Sequence, residues 1–85
     1  MYFLVNHTIS NPAEFWARAQ ASLPNLPDGI RVHGVYAQAD ATRAACLWEA
    51  GSEAQIREYL EGKTGDVSDN DYLVVDATKS MGLPA

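Results

Sequence analysis

The order of its hydrophobic segments is the feature that most restricts the fold of this 85-residue chain. Strands favour aromatic and β-branched side chains, and such side chains dominate residues 2–9, Tyr-Phe-Leu-Val-Asn-His-Thr-Ile. Three further segments share this character and occupy residues 30–37, 43–50 and 72–76. We therefore predict four strands, and we expect the short polar loop at 38–42 to join the second and third as a hairpin.

Two helices are predicted between these strands. The first begins at Asn11, a favourable N-cap residue, and ends at Pro24, which cannot continue a helix. The second begins with Ser52 and Gln55, whose spacing matches a capping box, and it ends near Gly62. Both segments carry apolar side chains at helical spacing, so each has one face that must be buried.

The resulting order, strand–helix–strand–strand–helix–strand, is that of the ferredoxin-like fold of the α+β class. Right-handed connections then predict one four-stranded antiparallel sheet of order 4-1-3-2 with both helices on the same face. We expect residues 1–85 to form a single domain of this kind, because a chain of this length suits one domain.

The face of the sheet away from the helices is also predicted to be apolar. Tyr2–Val5 and Tyr72–Val75 are continuous apolar runs, and residues 44–48 add Ala-Ala-Cys-Leu-Trp. A large exposed apolar patch is unusual in a monomer. Covering about 500 Å² per subunit would favour association by roughly 10 kcal/mol before entropic costs. We therefore predict a two-fold homodimer formed through this open face.

Two details of that interface stay open at the level of sequence. Either Cys46 and Trp48 or Leu47 and Glu49 face the partner, because the third strand is apolar on both sides. The C-terminal tail, residues 77–85, is expected to be irregular or to pair with a neighbour.

The charge balance argues against several classes of partner. The net charge is −5, and the six Lys and Arg residues are scattered, so neither nucleic acid nor an anionic membrane is expected as a partner. No apolar run reaches 18 residues, and residues 1–7 lack the basic region and cleavage site of a secretory signal. A cytoplasmic location is therefore expected. Cys46 is the only cysteine, and its apolar neighbours predict a buried structural thiol.

Two short segments, Phe3-Leu4-Val5-Asn6-His7 and Cys46-Leu47-Trp48-Glu49-Ala50, resemble small members of the dimeric α+β barrel superfamily. The chain is especially similar to short bacterial ferredoxin-like proteins of unknown function, one branch of which is described as nickel-binding. The resemblance implies this fold and homodimerisation. It implies no single activity, because superfamily relatives include heme-degrading and quinol-forming monooxygenases, lactone isomerases and stress-responsive proteins. A histidine recurs at the position of His7 in the similar family, which implies a ligand or acid/base role there.

His7 is accordingly the leading candidate for chemistry, either as a catalytic acid/base or as a ligand of a divalent transition metal such as nickel. Glu49 is the second catalytic candidate, because a carboxylate at a strand end can orient a histidine or act as a base. Candidates for binding a small ligand are His33, Tyr36 and Trp48. Each has an ordinary alternative role: an inert strand-end histidine or carboxylate, or an aromatic ring in the core or dimer contact.

A metal shared by His7 and His33 within one chain is not expected. About four residues of offset at roughly 3.3 Å each would separate the two along the sheet. Residues 66–71, within the polar loop predicted at 63–71, have the acidic spacing of a calcium loop. However, Asp71 and Ala77 stand where such a loop requires Gly and Glu, so a solvated loop is predicted.

Three functions stay open on this basis. The favoured one is a small homodimeric binding or accessory protein for a metal ion or a small ligand. The second is a cofactor-free enzyme of monooxygenase or isomerase type, with His7 as acid/base in a cleft between helices and sheet. The third is a dimerisation module without a ligand. The first is favoured because the sequence shows no oriented pair of nucleophile and base.

Overall fold

The computed structural model describes residues 1–84 and contains four strands and two α-helices within that range. The elements are β1 (Tyr2–Ile9), α1 (Pro12–Ser22), a 3₁₀ turn (Leu23–Asn25), β2 (Arg31–Ala37), β3 (Arg43–Glu49), α2 (Glu53–Thr64) and β4 (Ser68–Val75). No element of residues 76–84 is a helix or a strand. This segment does return to the sheet, because the Tyr2 hydroxyl donates a hydrogen bond to the Pro84 carbonyl at 3.3 Å.

The four strands form one sheet in the order β2-β3-β1-β4, and every neighbouring pair is antiparallel. This is the predicted order 4-1-3-2 read from the other edge, so the ferredoxin-like fold is confirmed. The hairpin of β2 and β3 is also confirmed. Since β1 and β3 occupy the centre, both central strands are covered by pairing on each side, and β2 and β4 are the edges.

Both predicted N-caps are present. The Asn11 side chain accepts a hydrogen bond from the Glu14 backbone N–H at 3.2 Å. The Ser52 hydroxyl accepts from the Gln55 N–H at 3.1 Å, and the Gln55 side chain accepts from the Gly51 N–H at 2.8 Å. Each cap satisfies N–H groups that the first helical turn leaves without a partner. The local sequence therefore determines where each helix begins.

The predicted boundaries of the last two elements were wrong. Helix α2 continues past Gly62 to Thr64, and β4 begins at Ser68 rather than at Tyr72. The polar residues Asp69 and Asp71 have low strand propensity, but they pair with Thr8 and Asn6 at the polar end of β1. An edge strand tolerates charged side chains because one side of it is solvated. Tertiary pairing thus overrides a local preference for loop.

The core lies between the helices and one face of the sheet. On β1 this face carries Phe3 and Val5, both completely buried, and on β3 it carries Cys46 and Trp48. Helix α2 covers it with Ile56, which is also completely buried. The structure therefore shows which side of β3 is covered: Cys46 and Trp48 face the helices. Leu47 and Glu49 lie on the open face.

Candidate functional site

A cavity of about 40 Å³ lies between α1, α2 and the helix-facing side of the sheet. Strands β1, β2 and β3 contribute four residues to this cavity: His7, Val35, Cys46 and Trp48. The walls come from both helices. We refer to this space below as the α1–α2–sheet cavity.

The cavity exists because α1 presents small side chains to the sheet. Phe15 is buried near the start of α1, but the next residues on the same face are Ala19 and Ser22. Across from them α2 places Tyr59 and Leu60. Protein interiors are normally packed so closely that voids larger than a water molecule are few. The small side chains of α1 therefore leave space that α2 alone does not fill.

His7 is buried, with 3% of its surface exposed, in the middle of the polar half of β1. Its ring lies 5.2 Å from the ring of Phe15, and its Nδ1 lies 2.5 Å from Oδ1 of Asn70 on the paired strand β4. Burial lowers the pKa of His7, and this effect exceeds the opposing influences of Asn70 and Glu61. The imidazole is consequently held in its neutral form at neutral pH.

A chain of hydrogen bonds extends from His7 to the outer edge of the sheet. The Asn70 amide donates to Oε2 of Glu61 on α2 at 2.6 Å, and the Tyr72 hydroxyl donates to the same oxygen at 2.7 Å. These two hydrogen bonds hold the pKa of Glu61 below its ordinary value, and the bond from the Asn70 amide has the larger effect. Burial, assisted by the Glu61 hydrogen bond, raises the pKa of Tyr72. The guanidinium of Arg57 lies over the Tyr72 ring, 4.3 Å from its centre.

Two further polar atoms at the cavity are buried without a hydrogen-bond partner among residues 1–84: Nε1 of Trp48 and the hydroxyl of Tyr59. Their rings lie 6.1 Å apart. Burial raises the pKa of the nearby Cys46 thiol to about 11, and the indole N–H of Trp48 acts in the opposite direction. That N–H nevertheless does not reach hydrogen-bond geometry with the sulfur. The cysteine is thus a neutral thiol in the wall of the cavity.

Of the residues predicted from sequence, the structure brings only His7 and Trp48 together at this cavity. His33 and Glu49 lie on the open face, where the histidine Nε2 and the Glu49 carboxylate are 2.9 Å apart. Glu49 therefore orients His33 rather than His7, and the hydrogen bond to His33 lowers the pKa of Glu49. Tyr36 is 66% exposed on the same open face, with its ring across Gly34.

Sequence reasoning missed the site roles of Tyr59, Glu61 and Asn70. Tyr59 lies in the second predicted helix, for which the sequence indicates only an apolar face, and Asn70 lies in the loop predicted at 63–71. Residues 68–71 are polar at every position, so no apolar–polar alternation marks the start of β4 in the sequence. The position of Asn70 opposite His7 depends on the register between distant strands.

A metal centre formed by one chain gains no support from the side-chain positions. Nowhere in residues 1–84 do three or more His, Cys, Asp or Glu residues form a group that could hold a metal ion. His7 and His33 lie on opposite faces of the sheet, which separates them more firmly than the predicted offset along the strands. The part of the chain that the structure describes also has no helix with the length and hydrophobicity needed to cross a bilayer.

Comparison with known proteins leaves the fold as the main guide. No family model matches the chain, and no curated protein or solved structure was found to match it. The α+β architecture with a four-stranded antiparallel sheet is compatible with the ferredoxin-like part of the predicted resemblance. A functional interpretation therefore has to start from the α1–α2–sheet cavity itself.

Proposed function

We propose that this protein is a small homodimer that binds a compact, uncharged organic molecule in the α1–α2–sheet cavity, with His7 as the polar anchor. The observation that carries the proposal is that Nε1 of Trp48 and the hydroxyl of Tyr59 are buried at this cavity with no partner in residues 1–84. Buried polar atoms in native proteins are normally paired with protein or with ordered water. A bound molecule would satisfy both of them.

The polar atoms restrict the chemistry of such a ligand. The indole N–H of Trp48 can only donate, so the ligand needs an acceptor, whereas a neutral His7 also offers an acceptor nitrogen. Lys63 is the only formally charged side chain among the described residues that line the cavity, and its amine lies 5.9 Å from the centre of the Tyr59 ring. An uncharged or weakly acidic molecule with a hydroxyl or carbonyl group suits this environment.

The volume restricts the size of the ligand. A cavity of 40 Å³ is well below the roughly 150 Å³ of an engineered cavity that admits benzene, and it corresponds to about three water molecules. A molecule of three to four non-hydrogen atoms is therefore about the largest that this cavity can hold without movement of the helices. A larger ring would require α1 to move outward, and Phe15 is the one buried side chain of α1 that holds it in place.

A cofactor-free enzyme is the second candidate function, and one observation favours it. His7 lines the cavity, is kept neutral by burial, and has its Nδ1 hydrogen-bonded to Asn70. A neutral, oriented imidazole of this kind can act as a general base. In this version His7 takes a proton from a bound hydroxyl compound. A nickel-binding role has less support, because His7 belongs to no group of three or more His, Cys, Asp or Glu residues in the described part of the chain that could hold a metal ion.

The cavity proposal can be tested by ¹H–¹⁵N NMR titration with 2-propanol, a probe of four non-hydrogen atoms with one hydroxyl. At a ceiling of about 1.5 kcal/mol per atom, its Kd cannot be tighter than roughly tens of micromolar, so the titration should extend into the millimolar range. We expect a saturable shift of the Trp48 indole N–H. Trp16 also lines the cavity, but its indole N–H already donates to the Ala41 carbonyl at 3.2 Å, so it serves as the comparison and should shift less.

A pair of substitutions on α1 provides the control. Ala19→Leu places a larger side chain in the cavity and should abolish the saturable shift, whereas Ala17→Leu on the exposed side of α1 should preserve it. Absence of a saturable shift in the unmodified protein, or equal shifts in the two variants, would refute the proposal.

The homodimer is supported by the side chains of the open face. Near one end of the sheet this face carries five hydrophobic residues, Tyr2, Leu4, Leu47, Leu73 and Val75, and Leu73 is 54% exposed. The other end carries the polar residues Asn6, Thr8 and Asp71 beside the exposed ring of Tyr36. A second copy related by a two-fold axis would cover the apolar end, because an isologous contact places the same patch on both subunits.

Sedimentation equilibrium tests this assembly. Leu73→Lys should weaken the dimer strongly, because a buried unpaired ammonium replaces an apolar contact. Val74→Lys is the matched control, since Val74 is 47% exposed but lies on the opposite face of β4. A monomer at micromolar concentration in the unmodified protein would contradict the dimer and leave the cavity proposal standing.

A further inference from the structure

The amide of Asn70 has only one orientation that satisfies its neighbours. Its Nδ2 lies 2.6 Å from the Glu61 carboxylate, and an ionised carboxylate can only accept hydrogen bonds. The NH₂ group must therefore point to Glu61. The carbonyl oxygen Oδ1 then points to Nδ1 of His7, 2.5 Å away, and to the Ser68 hydroxyl at 2.8 Å.

This orientation determines which nitrogen of His7 carries the proton. A carbonyl oxygen only accepts, so Nδ1 of His7 has to donate to Asn70 and must be protonated. The neutral imidazole has a single N–H, so its second nitrogen, Nε2, keeps a free lone pair. With Nδ1 turned toward β4, Nε2 is the nitrogen left for a molecule in the cavity.

The carboxylate that begins this chain is itself held in place. The Tyr72 hydroxyl donates to the same Glu61 oxygen at 2.7 Å, and the Arg57 guanidinium over the Tyr72 ring adds positive charge close by. Tyr72 follows Asn70 by two residues on the same side of β4, so one strand supplies both donors to Glu61. The arrangement joins β4 to α2 at the point where β4 pairs with His7.

We propose that Asn70 and Glu61 are positioning residues that hold His7 as the Nδ1–H tautomer, so that Nε2 accepts a hydrogen bond from a hydroxyl group of the ligand. This inference rests on the proposed binding function of the cavity and deepens it, because it selects ligands that carry a donor. Outer hydrogen-bond partners orient the ligating histidines of metal sites in the same way.

Long-range ¹H–¹⁵N NMR of the imidazole rings tests the tautomer directly and needs no ligand. In the unmodified protein we expect a protonated, pyrrole-type Nδ1 and an unprotonated, pyridine-type Nε2 for His7. In Glu61→Gln the side-chain amide can donate as well as accept, so Asn70 is free to turn over, and both tautomers should appear. Glu58→Gln, an exposed change on the same helix, should leave the single tautomer intact.

Two probes of equal size then connect the tautomer to the ligand. 2-Propanol can donate to Nε2 and should shift the His7 Nε2 resonance, whereas acetone has no donor and should not. Glu61→Gln should weaken 2-propanol binding by about ten-fold, the lower end of the loss seen when outer partners are removed at metal sites.

A His7 ring protonated on Nε2 in the unmodified protein would overturn this inference. So would a Glu61→Gln protein with the unmodified tautomer, or a His7 Nε2 resonance that responds equally to both probes. None of these results affects the Trp48 titration, so failure of the positioning role is distinguishable from failure of the cavity as a binding site. Asn70→Ala provides a second variant, with the same expectation of mixed tautomers, if Glu61→Gln does not fold.

Discussion

Removal of the Tyr59 hydroxyl should stabilise the ligand-free protein. The hydroxyl oxygen is buried and has no partner within residues 1–84. A buried polar group without a hydrogen bond costs about 1–3 kcal/mol, so Tyr59→Phe removes a cost of this order. The phenyl ring stays, and with it the contacts to Trp48 and Lys63. We expect the free energy of unfolding to rise by about 1 kcal/mol.

The same substitution at Tyr72 should have the opposite sign. The Tyr72 hydroxyl donates to the ionised Glu61 carboxylate at 2.7 Å, and hydrogen bonds to charged groups contribute about 1.5–3 kcal/mol. Glu61 is exposed to solvent, so we discount this to about 1 kcal/mol for Tyr72→Phe. The two variants should therefore differ by about 2 kcal/mol in the free energy of unfolding.

Urea denaturation monitored by tryptophan fluorescence is a suitable assay. With an m-value of about 1 kcal/mol per molar urea for a small domain, the two midpoints should lie about 2 M apart. The melting temperatures should differ by roughly 8–16 °C. If Tyr59→Phe loses as much stability as Tyr72→Phe, the Tyr59 hydroxyl has a partner such as an ordered water. The argument that it awaits a ligand would then be refuted.

Three further predictions concern His7, α1 and its cap. Burial lowers the pKa of His7 from its ordinary value near 6.5, so between that value and its folded pKa the unfolded chain binds the proton more readily. The free energy of unfolding should therefore fall as the pH drops below about 6.5. Urea titrations at pH 7 and pH 5 should show that His7→Gln removes the part of this decrease that is due to His7. An unchanged dependence of the free energy of unfolding on pH would contradict the assigned burial. The Ala19→Leu protein should be at least as thermally stable as the Ala17→Leu protein, because the new side chain fills space at the cavity. If the melting temperature of the Ala19→Leu protein is several degrees lower, the space is too small for this side chain. Asn11→Ala should cost about 1 kcal/mol in thermal or urea unfolding through loss of the N-cap, and no loss would show that the cap is dispensable.

Local signals were sufficient for most of the fold. The caps at Asn11 and Ser52 placed the helix starts correctly, and the apolar runs placed β1, β2 and β3 within one residue of their observed bounds. These features depend on residues a few positions apart. The polar start of β4 escaped prediction because its partner, the polar end of β1, lies about sixty residues earlier in the chain.

The candidate site was predictable only in part. His7 and Trp48 were recognised from their residue types and the resemblance, but Glu49 and His33 meet each other on the open face instead of meeting His7. Tyr59, Glu61 and Asn70 come from α2 and from β4, whose register against β1 cannot be derived from local periodicity. A change of one residue in that register would turn Asn70 to the other face.

The amino-acid sequence by itself determined the order of the elements, the helix starts and the alternation that places Phe3, Val5 and His7 on one side of β1. These features follow from propensity, capping and the two-residue period of a strand. Only the tertiary structure decided which side of β3 faces the helices, how long β4 is, and that His7 contacts Asn70. Those properties depend on how segments distant in the chain pair and pack, and many different pairings are compatible with the same local pattern.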